Sequence, residues 1–342
     1  LIFTHGHVDH VGGTAYLREN NPGLRVIASD KNPEHQDYDK RLAAFRGNRS
    51  AFAFTDKFAE AFAYYQEHGY TDFPAQDQPT PDVLVEDKLV FELGGVIFEI
   101  IAVPGAETND SLIVWLPQHK ICFTGNLFGC PFGHFPNLVT IRGDRYREAL
   151  VVARAVETVR ALEPEMICYG HHGPVIGRQL IQDELTALYQ AIHHVHDETV
   201  KGMNEGKDVY TLMSEISLPA EMEVGEGYGK VSWSVRAIWE SYGGWFHHRS
   251  TTELYAVPQS SVAGDIVELS GGAAAILQRA QEKFASGRNE EALHLLDIVR
   301  DADADTTESR ALGVRIHEAL LRKTDNFWLS SWLKNEIKSL QA

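Results

Sequence analysis

Two stretches rich in Val, Ile, Leu and Phe predict β-hairpins in the first half of the chain. They cover residues 89–103, interrupted by Gly94-Gly95, and residues 111–123. Apolar positions at helical spacing follow over residues 146–162, and a short apolar run at 165–169 predicts a buried strand. Strands with polar residues only at their ends, together with a helix, are typical of a layered sheet whose site lies along one edge.

From residue 179 onward the pattern becomes almost continuously helical. The predicted helices cover residues 179–204 and 230–241, with four more within 271–340. Residues 253–268 contain Pro258 and several Ser and Gly residues, which predicts a surface linker. We therefore predict an α/β domain over residues 1–178 and a helical domain over residues 179–342.

An aromatic-rich segment at residues 40–68 has two interpretations. It carries five Phe and two Tyr residues, which is more than a plain connector needs. It either forms a lid or wall over a pocket or is a helical insertion packed on the core.

Composition narrows the range of partners. The 342 residues include 31 Lys and Arg against 48 Asp and Glu, for a formal net charge of −17, which argues against binding a nucleic-acid backbone. No uninterrupted apolar run approaches the roughly 18 to 20 residues of a membrane span, so we predict no transmembrane segment. The 44% apolar content is enough for a sizeable core.

The strongest chemical signal is the sequence THGHVDH at residues 4–10. It places the metal-ligand types His5, His7, Asp9 and His10 within six positions. In extended backbone His5 and His7 point the same way and can bind one ion, while Asp9 and His10, past a turn, can face a second. Imidazole and carboxylate ligands suit zinc. The alternative, a loop of solvated histidines, is a poor account of so specific a pattern.

This motif resembles the first metal motif, THxHxDH, of the metallo-β-lactamase superfamily. The resemblance implies an αββα sandwich that is N-terminally incomplete, since the motif normally follows earlier strands. It also implies metal ligands at three later strand ends. The corresponding residues are Glu107 in PGAETNDS, Asn126 in FTGN, and either His171 or His172 in GHHGP, with His171 preferred.

Further segments resemble the alkylsulfatase branch of that superfamily, the SDS-hydrolase type, in which a glutamate holds the first metal. Residues 137–143, NLVTIRG, are similar to its sulfate-binding segment, and residues 228–237 and 243–246 are similar to its dimerisation domain. The resemblance implies an all-α dimerisation domain after the α/β domain, and a homodimer formed through it.

The resemblance also implies the reaction. We expect a zinc-dependent hydrolase, with one or two Zn²⁺ ions, that cleaves a small alkyl sulfate or related anionic ester with metal-activated hydroxide. Asp9 and His134 are the candidate catalytic residues beyond the metal itself. The candidate substrate-binding residues are Asn137, Thr140, Arg142 and Trp233.

Two departures from the branch leave alternatives open. Asn126 replaces a bridging carboxylate, and a neutral amide holds a divalent ion less strongly, which predicts a weaker second metal site. Trp233 stands where the sulfatases have a histidine, and an indole cannot relay a proton. A hydrolase of lactones, carboxylic esters or thioesters is therefore one alternative, and a metal-poor binding or assembly protein is another. The sequence does not distinguish S–O from C–O cleavage.

Overall fold

The computed structural model describes residues 1–70, 77, 79–129, 132–139, 141–222 and 224–342. In these ranges the strands are β1 (Ile27–Ser29), β2 (Val83–Val85), β3 (Lys88–Leu93), β4 (Val96–Ala102), β5 (Leu112–Leu116), β6 (Ile121–Gly125), β7 (Met166–Tyr169) and β8 (Val175–Ile176). The α-helices of the first two hundred residues are α1 (Val8–Val11), α2 (Thr14–Asn20), α3 (Asn32–Glu67), α4 (Ala149–Ala161) and α5 (Arg178–Asn204). The later helices are α6 (Val209–Glu215), α7 (Val231–Gly243), α8 (Ala263–Leu269), α9 (Ala273–Ala285), α10 (Asn289–Asp301), α11 (Thr307–Leu321) and α12 (Phe327–Gln341).

Strands β3 to β8 form one mixed sheet in simple sequence order. Only the β6–β7 pair within it is parallel, and β1 pairs separately with β2. Both predicted hairpins are confirmed as β3–β4 and β5–β6. Gly94 and Gly95 make the first turn with φ of 62° and 83°, a backbone conformation in which glycine has no steric cost.

Helices α4 and α5 pack together on the sheet and enclose the largest apolar core. Helix α4 confirms the helix predicted at 146–162 but begins at Ala149. The residues before α4 are not helical, and their side chains bind other parts of the fold. Tyr146 Oη donates a hydrogen bond to Glu240, and Arg147 donates one to the Glu107 side chain. The predicted strand at 165–169 is β7.

The aromatic-rich segment lies in α3, a helix of 36 residues. The segment is therefore helical, but Phe45, Phe58 and Tyr64 are exposed, so packing of these aromatic side chains on a core is not borne out. The first third of α3 also borders the metal motif. The ring centroid of His35 on α3 is 5.6 Å from that of His7.

The four helices predicted within 271–340 are α9 to α12. The linker predicted at 253–268 is wrong for its last residues, because α8 begins at Ala263. Pro258 is the extended N-cap of a 3₁₀ helix, Gln259–Val262, that leads into α8, and Ala263 itself is buried.

The chain divides into two compact units. The first comprises Leu1–Ala51 and Asp56–Trp245, with the mixed sheet and α4 to α7. The second comprises Phe52–Thr55 and Phe246–Ala342, where Leu277, Leu296 and Ile316 form an apolar cluster. The architecture confirms the predicted class, α/β followed by helices, whereas the domain boundary after residue 178 stays a prediction.

In the part of the chain described above, no single helix has the length and apolar composition to cross a membrane. One bent pair, Gln259–Leu269 with Ala273–Ala285, meets those two criteria jointly.

Candidate metal centre

The motif at residues 4–10 is fixed between the two sheets. The Phe3 N–H donates to Ile27 O at 2.9 Å, and the Leu112 N–H donates to Thr4 O at 2.6 Å. The chain then turns into α1, for which His7 is the extended N-cap residue. His5 and His7 therefore precede the helix, while Asp9 and His10 lie on its first turn, as the predicted two-ion arrangement requires.

The first candidate ligand group is His5, His7 and Glu107. One ligand atom from each side chain lies within 4.8 Å of the others, and all three residues are buried. His7 Nδ1 is 3.6 Å from Glu107 Oε1. His5 Nδ1 contacts Thr4 Oγ1 at 3.1 Å, which leaves His5 Nε2 buried with no hydrogen-bond partner in the described part of the chain. A buried ring nitrogen without a partner is costly unless it binds a ligand, so these residues fit a metal ion.

The second candidate group is Asp9, His10 and His171. Asp9 Oδ2 lies 3.3 Å from His10 Nε2 and 3.5 Å from His171 Nε2. This group adjoins the first, since the His5 and His10 ring centroids are 4.2 Å apart. Two such donor sets side by side are the arrangement that a pair of divalent ions requires.

The electrostatics favour the protonation states that bind metal. Burial, reinforced by the charges of His7 and His10, holds the pKa of His5 well below its ordinary value. Burial also lowers the pKa of His171. Burial opposes ionisation of Asp9, but its hydrogen bond to His10 and the charges of His10 and His7 outweigh it and lower the pKa of Asp9. Neutral imidazoles and an ionised carboxylate are the ligand forms of these groups.

His172 belongs to neither group among the described residues. It is exposed, has a φ of 67°, and its ring lies 6.2 Å from that of Tyr169. The geometry therefore favours His171, the preferred residue, over His172.

Asn126 lies beside the second group. Its Oδ1 is buried and finds no hydrogen-bond partner within the residues that the structure describes. A Cβ atom built on Gly170 would overlap both Asn126 Oδ1 and His10 Cε1, so these two side chains meet over a glycine. Asn126 therefore offers an oxygen to the second group, as its place in the FTGN segment suggests.

The remaining predicted site residues are distributed more widely. The ring of His134 lies against Gly225, and its Nδ1 accepts a hydrogen bond from the Gly227 N–H at 2.9 Å. His134 thus belongs to neither ligand group among the described residues. Trp233 is half-buried on α7.

Asn137 and Arg142 lie in the segment between β6 and α4. Asn137 is buried, and its carbonyl accepts a 2.5 Å hydrogen bond from Arg147 Nη1. Arg142 is half-buried, and its carbonyl accepts from Arg49 Nε on α3 at 3.0 Å. Thr140, the other predicted substrate contact, lies outside the described residues.

Sequence reasoning missed several groups that touch the ligands. Arg147 donates to Glu107 Oε1, Asp144 faces His7, and His35 packs beside Gly6. Asp110 is buried and accepts hydrogen bonds from Thr108 Oγ1 at 2.5 Å and from Asn32 Nδ2 at 2.7 Å. Of these residues, only Asp110 could have been predicted from the sequence, because it lies in the segment that supplies Glu107.

Two family models match the chain. One, described as the metallo-beta-lactamase superfamily, covers residues 1–171. The other, described as alkyl sulfatase dimerisation, covers residues 211–341. Together they confirm the resemblance stated from the motifs, including its alkylsulfatase branch.

Individual relatives agree with this result. A linear primary-alkylsulfatase of Pseudomonas sp. is 24% identical over 355 residues, which cover 100% of this chain and 66% of that protein. An alkyl/aryl-sulfatase of Saccharomyces cerevisiae is 25% identical over 362 residues, covering 100% of this chain and 55% of that protein. The chain thus spans between half and two thirds of the length of these relatives.

The fold also matches a solved structure of the stereoselective inverting sec-alkylsulfatase Pisa1 from Pseudomonas sp. The TM-score is 0.83 at 20% identity, over 99% of this chain and 56% of that protein. At this identity the likeness shows the fold alone. The first family model, however, matches 171 of the 342 residues, and the chain therefore belongs to the metallo-beta-lactamase superfamily.

Proposed function

We propose that this chain carries the metal centre of a zinc-dependent hydrolase that cleaves alkyl sulfate esters. The observation that supports it most is the pair of adjoining donor groups, His5, His7, Glu107 and Asp9, His10, His171. Membership of the superfamily implies a divalent metal ion, and histidine with carboxylate is the donor set that zinc prefers. The similarity to alkylsulfatases points to the substrate class.

The residues of the centre have distinct roles in this proposal. Bound zinc would lower the pKa of a coordinated water toward ~7 and so supply hydroxide at neutral pH. His5, His7 and Glu107 hold the first ion. Asp9 and His10 hold the second and, through the turn at α1, fix its position relative to the first. The lowered pKa of Asp9 keeps that carboxylate ionised as a ligand.

Substrate binding is assigned to the segment between β6 and α4. The guanidinium of Arg142 can bind two oxygens of a sulfate group, and Asn137 and Thr140 can donate further hydrogen bonds. His134 is proposed as the proton donor to the leaving group. Its Nδ1 accepts a hydrogen bond from the Gly227 N–H, which orients the ring and leaves Nε2 as the nitrogen available to a substrate oxygen.

A second candidate function is hydrolysis of a lactone, carboxylic ester or thioester. Asn126 favours it, because a neutral amide at that position weakens the second ion on which sulfate ester cleavage would depend. Trp233 favours it too, since an indole cannot relay a proton. In contrast, the buried His5 Nε2, which has no hydrogen-bond partner among the described residues, argues against a metal-poor binding protein.

The test combines metal analysis with a substrate screen. Protein purified without chelator is analysed for zinc and assayed against primary and secondary alkyl sulfates, a lactone, a carboxylic ester and a thioester. We expect near-stoichiometric zinc, sulfate release, and loss of both in His7→Ala. His119→Ala, at an exposed hairpin-turn histidine, is the matched control and should retain both. Activity on the carbon esters alone would establish the second candidate instead.

Two further measurements sharpen the result. Asn126→Asp should restore a carboxylate and tighten the second ion, which zinc titration would reveal. Hydrolysis in isotopically labelled water places the label in sulfate for S–O cleavage and in the alcohol for C–O cleavage. Unchanged zinc content in both His7→Ala and Asn126→Asp would refute the ligand assignment.

We also propose that residues 211–341 mediate homodimer formation, because they match the alkyl sulfatase dimerisation model. Light scattering coupled to size-exclusion chromatography should give twice the 38.2 kDa chain mass. A monomer across the concentration range would contradict this proposal without affecting the metal centre.

A further inference from the structure

The imidazole of His7 lies between two buried carboxylates. Its Nδ1 is 3.6 Å from Glu107 Oε1, inside the first ligand group. Its Nε2 is 3.8 Å from Asp144 Oδ2, and the Asp144 side chain is only 9% exposed. The two ring nitrogens therefore face different partners, one on the metal side and one on the protein side.

Asp144 is fixed in place on its other oxygen. Asp144 Oδ1 accepts a hydrogen bond from Arg46 Nη2 of α3 at 2.6 Å and from the Arg145 N–H at 2.8 Å. Arg46 donates from Nη1 to Asp39, whose Oδ2 lies 3.4 Å from His35 Nε2. The carboxylate that faces His7 is thus one end of a partly buried chain of polar groups, whose other members, Arg46, Asp39 and His35, come from α3.

This arrangement matches the usual surroundings of a metal-binding histidine. A histidine that binds metal through one nitrogen nearly always donates its other N–H to a carboxylate, carbonyl or water, which fixes the ring and raises its basicity. Because Nδ1 faces Glu107, the nitrogen left for that hydrogen bond is Nε2. The 3.8 Å separation is longer than a hydrogen bond, and a ring shift of under about 1 Å would close it.

We propose that Asp144 is a positioning residue that orients His7 for metal binding, and that Arg46 of α3 holds Asp144 in place. The inference rests on the proposed function, since it takes His7 as a metal ligand. It also connects α3 to the first metal ion, through Arg46, Asp144 and His7.

If the ion pair between Arg46 and Asp144 has a purely structural role, a different result is expected. In that case, substitutions of Asp144 would lower the stability of the metal-free protein and leave metal affinity unchanged. If Asp144 orients His7, metal affinity changes even where the fold does not. Metal affinity and the electronic spectrum of a bound ion therefore distinguish the two roles.

The experiment titrates the metal-free protein with Zn²⁺ against a chromophoric chelator, and with Co²⁺ by visible absorption. Asp144→Ala should weaken the tighter site by about 10- to 100-fold. Asp144→Asn, of the same size and still able to accept the N–H, should weaken it less and shift the Co²⁺ bands. Arg46→Met should weaken it in the same direction, since Asp144 then loses its anchor.

The matched control is Asp82→Ala, which removes an aspartate of the same unit that accepts hydrogen bonds from Arg18 and from the Val26 N–H. It should leave metal affinity at the parental value. Parental affinity and Co²⁺ spectrum in Asp144→Ala or, if that variant does not fold, in Asp144→Asn, together with metal loss in His7→Ala, would overturn this inference alone. Retention of both ions in His7→Ala would overturn the proposed metal centre and this inference with it.

Discussion

Arg147 Nη2 donates a 2.9 Å hydrogen bond to Glu107 Oε1, the same oxygen that faces His7 Nδ1. Arg147 Nε also donates to the Glu107 carbonyl at 2.7 Å, so one guanidinium fixes both the backbone and the side chain of this candidate ligand. Both side chains are less than one-tenth exposed. The Glu107 carboxylate is therefore oriented before any metal ion arrives.

Removing Arg147 should leave the Glu107 carboxylate buried without its partner. In Arg147→Met we expect a loss of about 3–5 kcal/mol in the free energy of unfolding of the metal-free protein, the usual effect of breaking a buried pair. Urea unfolding in the presence of a chelator measures it. Added zinc should recover part of the loss, because the ion supplies the missing positive charge.

The control for this prediction is Arg160→Met. Arg160 donates to Glu157 at 2.7 Å, but the two side chains are 35% and 44% exposed. An exposed pair of this kind contributes no more than about 1 kcal/mol. Equal losses in the two variants would mean that burial does not set the strength of the Arg147–Glu107 pair.

Substitutions of His171 and of His172 should have different effects on the metal content of the protein. We expect His171→Asn to lose about one ion per chain, because Asp9 and His10 then lack their third partner. His172→Asn should keep the parental content; asparagine tolerates the positive φ at this position, so the backbone is not strained. Elemental analysis of both purified variants decides between them, and the reverse result would transfer the ligand role to His172.

The sequence predicts the parts of the centre that are local in the chain. His5, His7, Asp9 and His10 lie within six positions, so their types and spacing are visible at once. Glu107, Asn126 and His171 lie at strand ends far along the chain, and only the family resemblance connects them with the motif. Their assignment as ligands stays a prediction.

The groups around the ligands were not predictable in this way. Arg46 and Asp144 are 98 residues apart, and Arg147 and Glu107 are 40 apart. A single Arg or Asp in an amphipathic segment has the same pattern whether it faces water or a buried partner. The pairing follows from where α3 and the segment before α4 meet, which is a property of the tertiary fold.

Gly170 should be required for the second ion. In Gly170→Ala the new methyl group would overlap Asn126 Oδ1 and His10 Cε1, so one of these side chains must move. We expect weaker binding of the second ion with the first unchanged, measured by zinc titration. Gly173→Ala is the matched control, because no atom of the described residues lies within 4 Å of its Cβ position. Parental zinc binding in both variants would place Asn126 and His10 outside the second site.

Tyr146 should make the protein lose stability at high pH. Burial, assisted by the hydrogen bond to Glu240, raises the pKa of Tyr146 to about 12 from an ordinary value of 10.0. Between these two pH values the folded state keeps the Tyr146 hydroxyl proton, whereas the unfolded chain releases it. This contribution is fully present below pH about 10 and is lost as pH rises toward about 12.

Tyr146→Phe should therefore show a shallower fall in unfolding free energy between pH about 10 and about 12 than the parent, measured by urea unfolding in chelator. The matched control is Tyr16→Phe, at a side chain that is 69% exposed in the same compact unit, and it should follow the parental curve. Because Tyr146 lies between Arg145 and Arg147, the bond to Glu240 also anchors to α7 the segment that carries Asp144. Curves that coincide for the parent and Tyr146→Phe would mean that the Tyr146–Glu240 bond does not stabilise the fold, and α7 would then have no part in holding that segment.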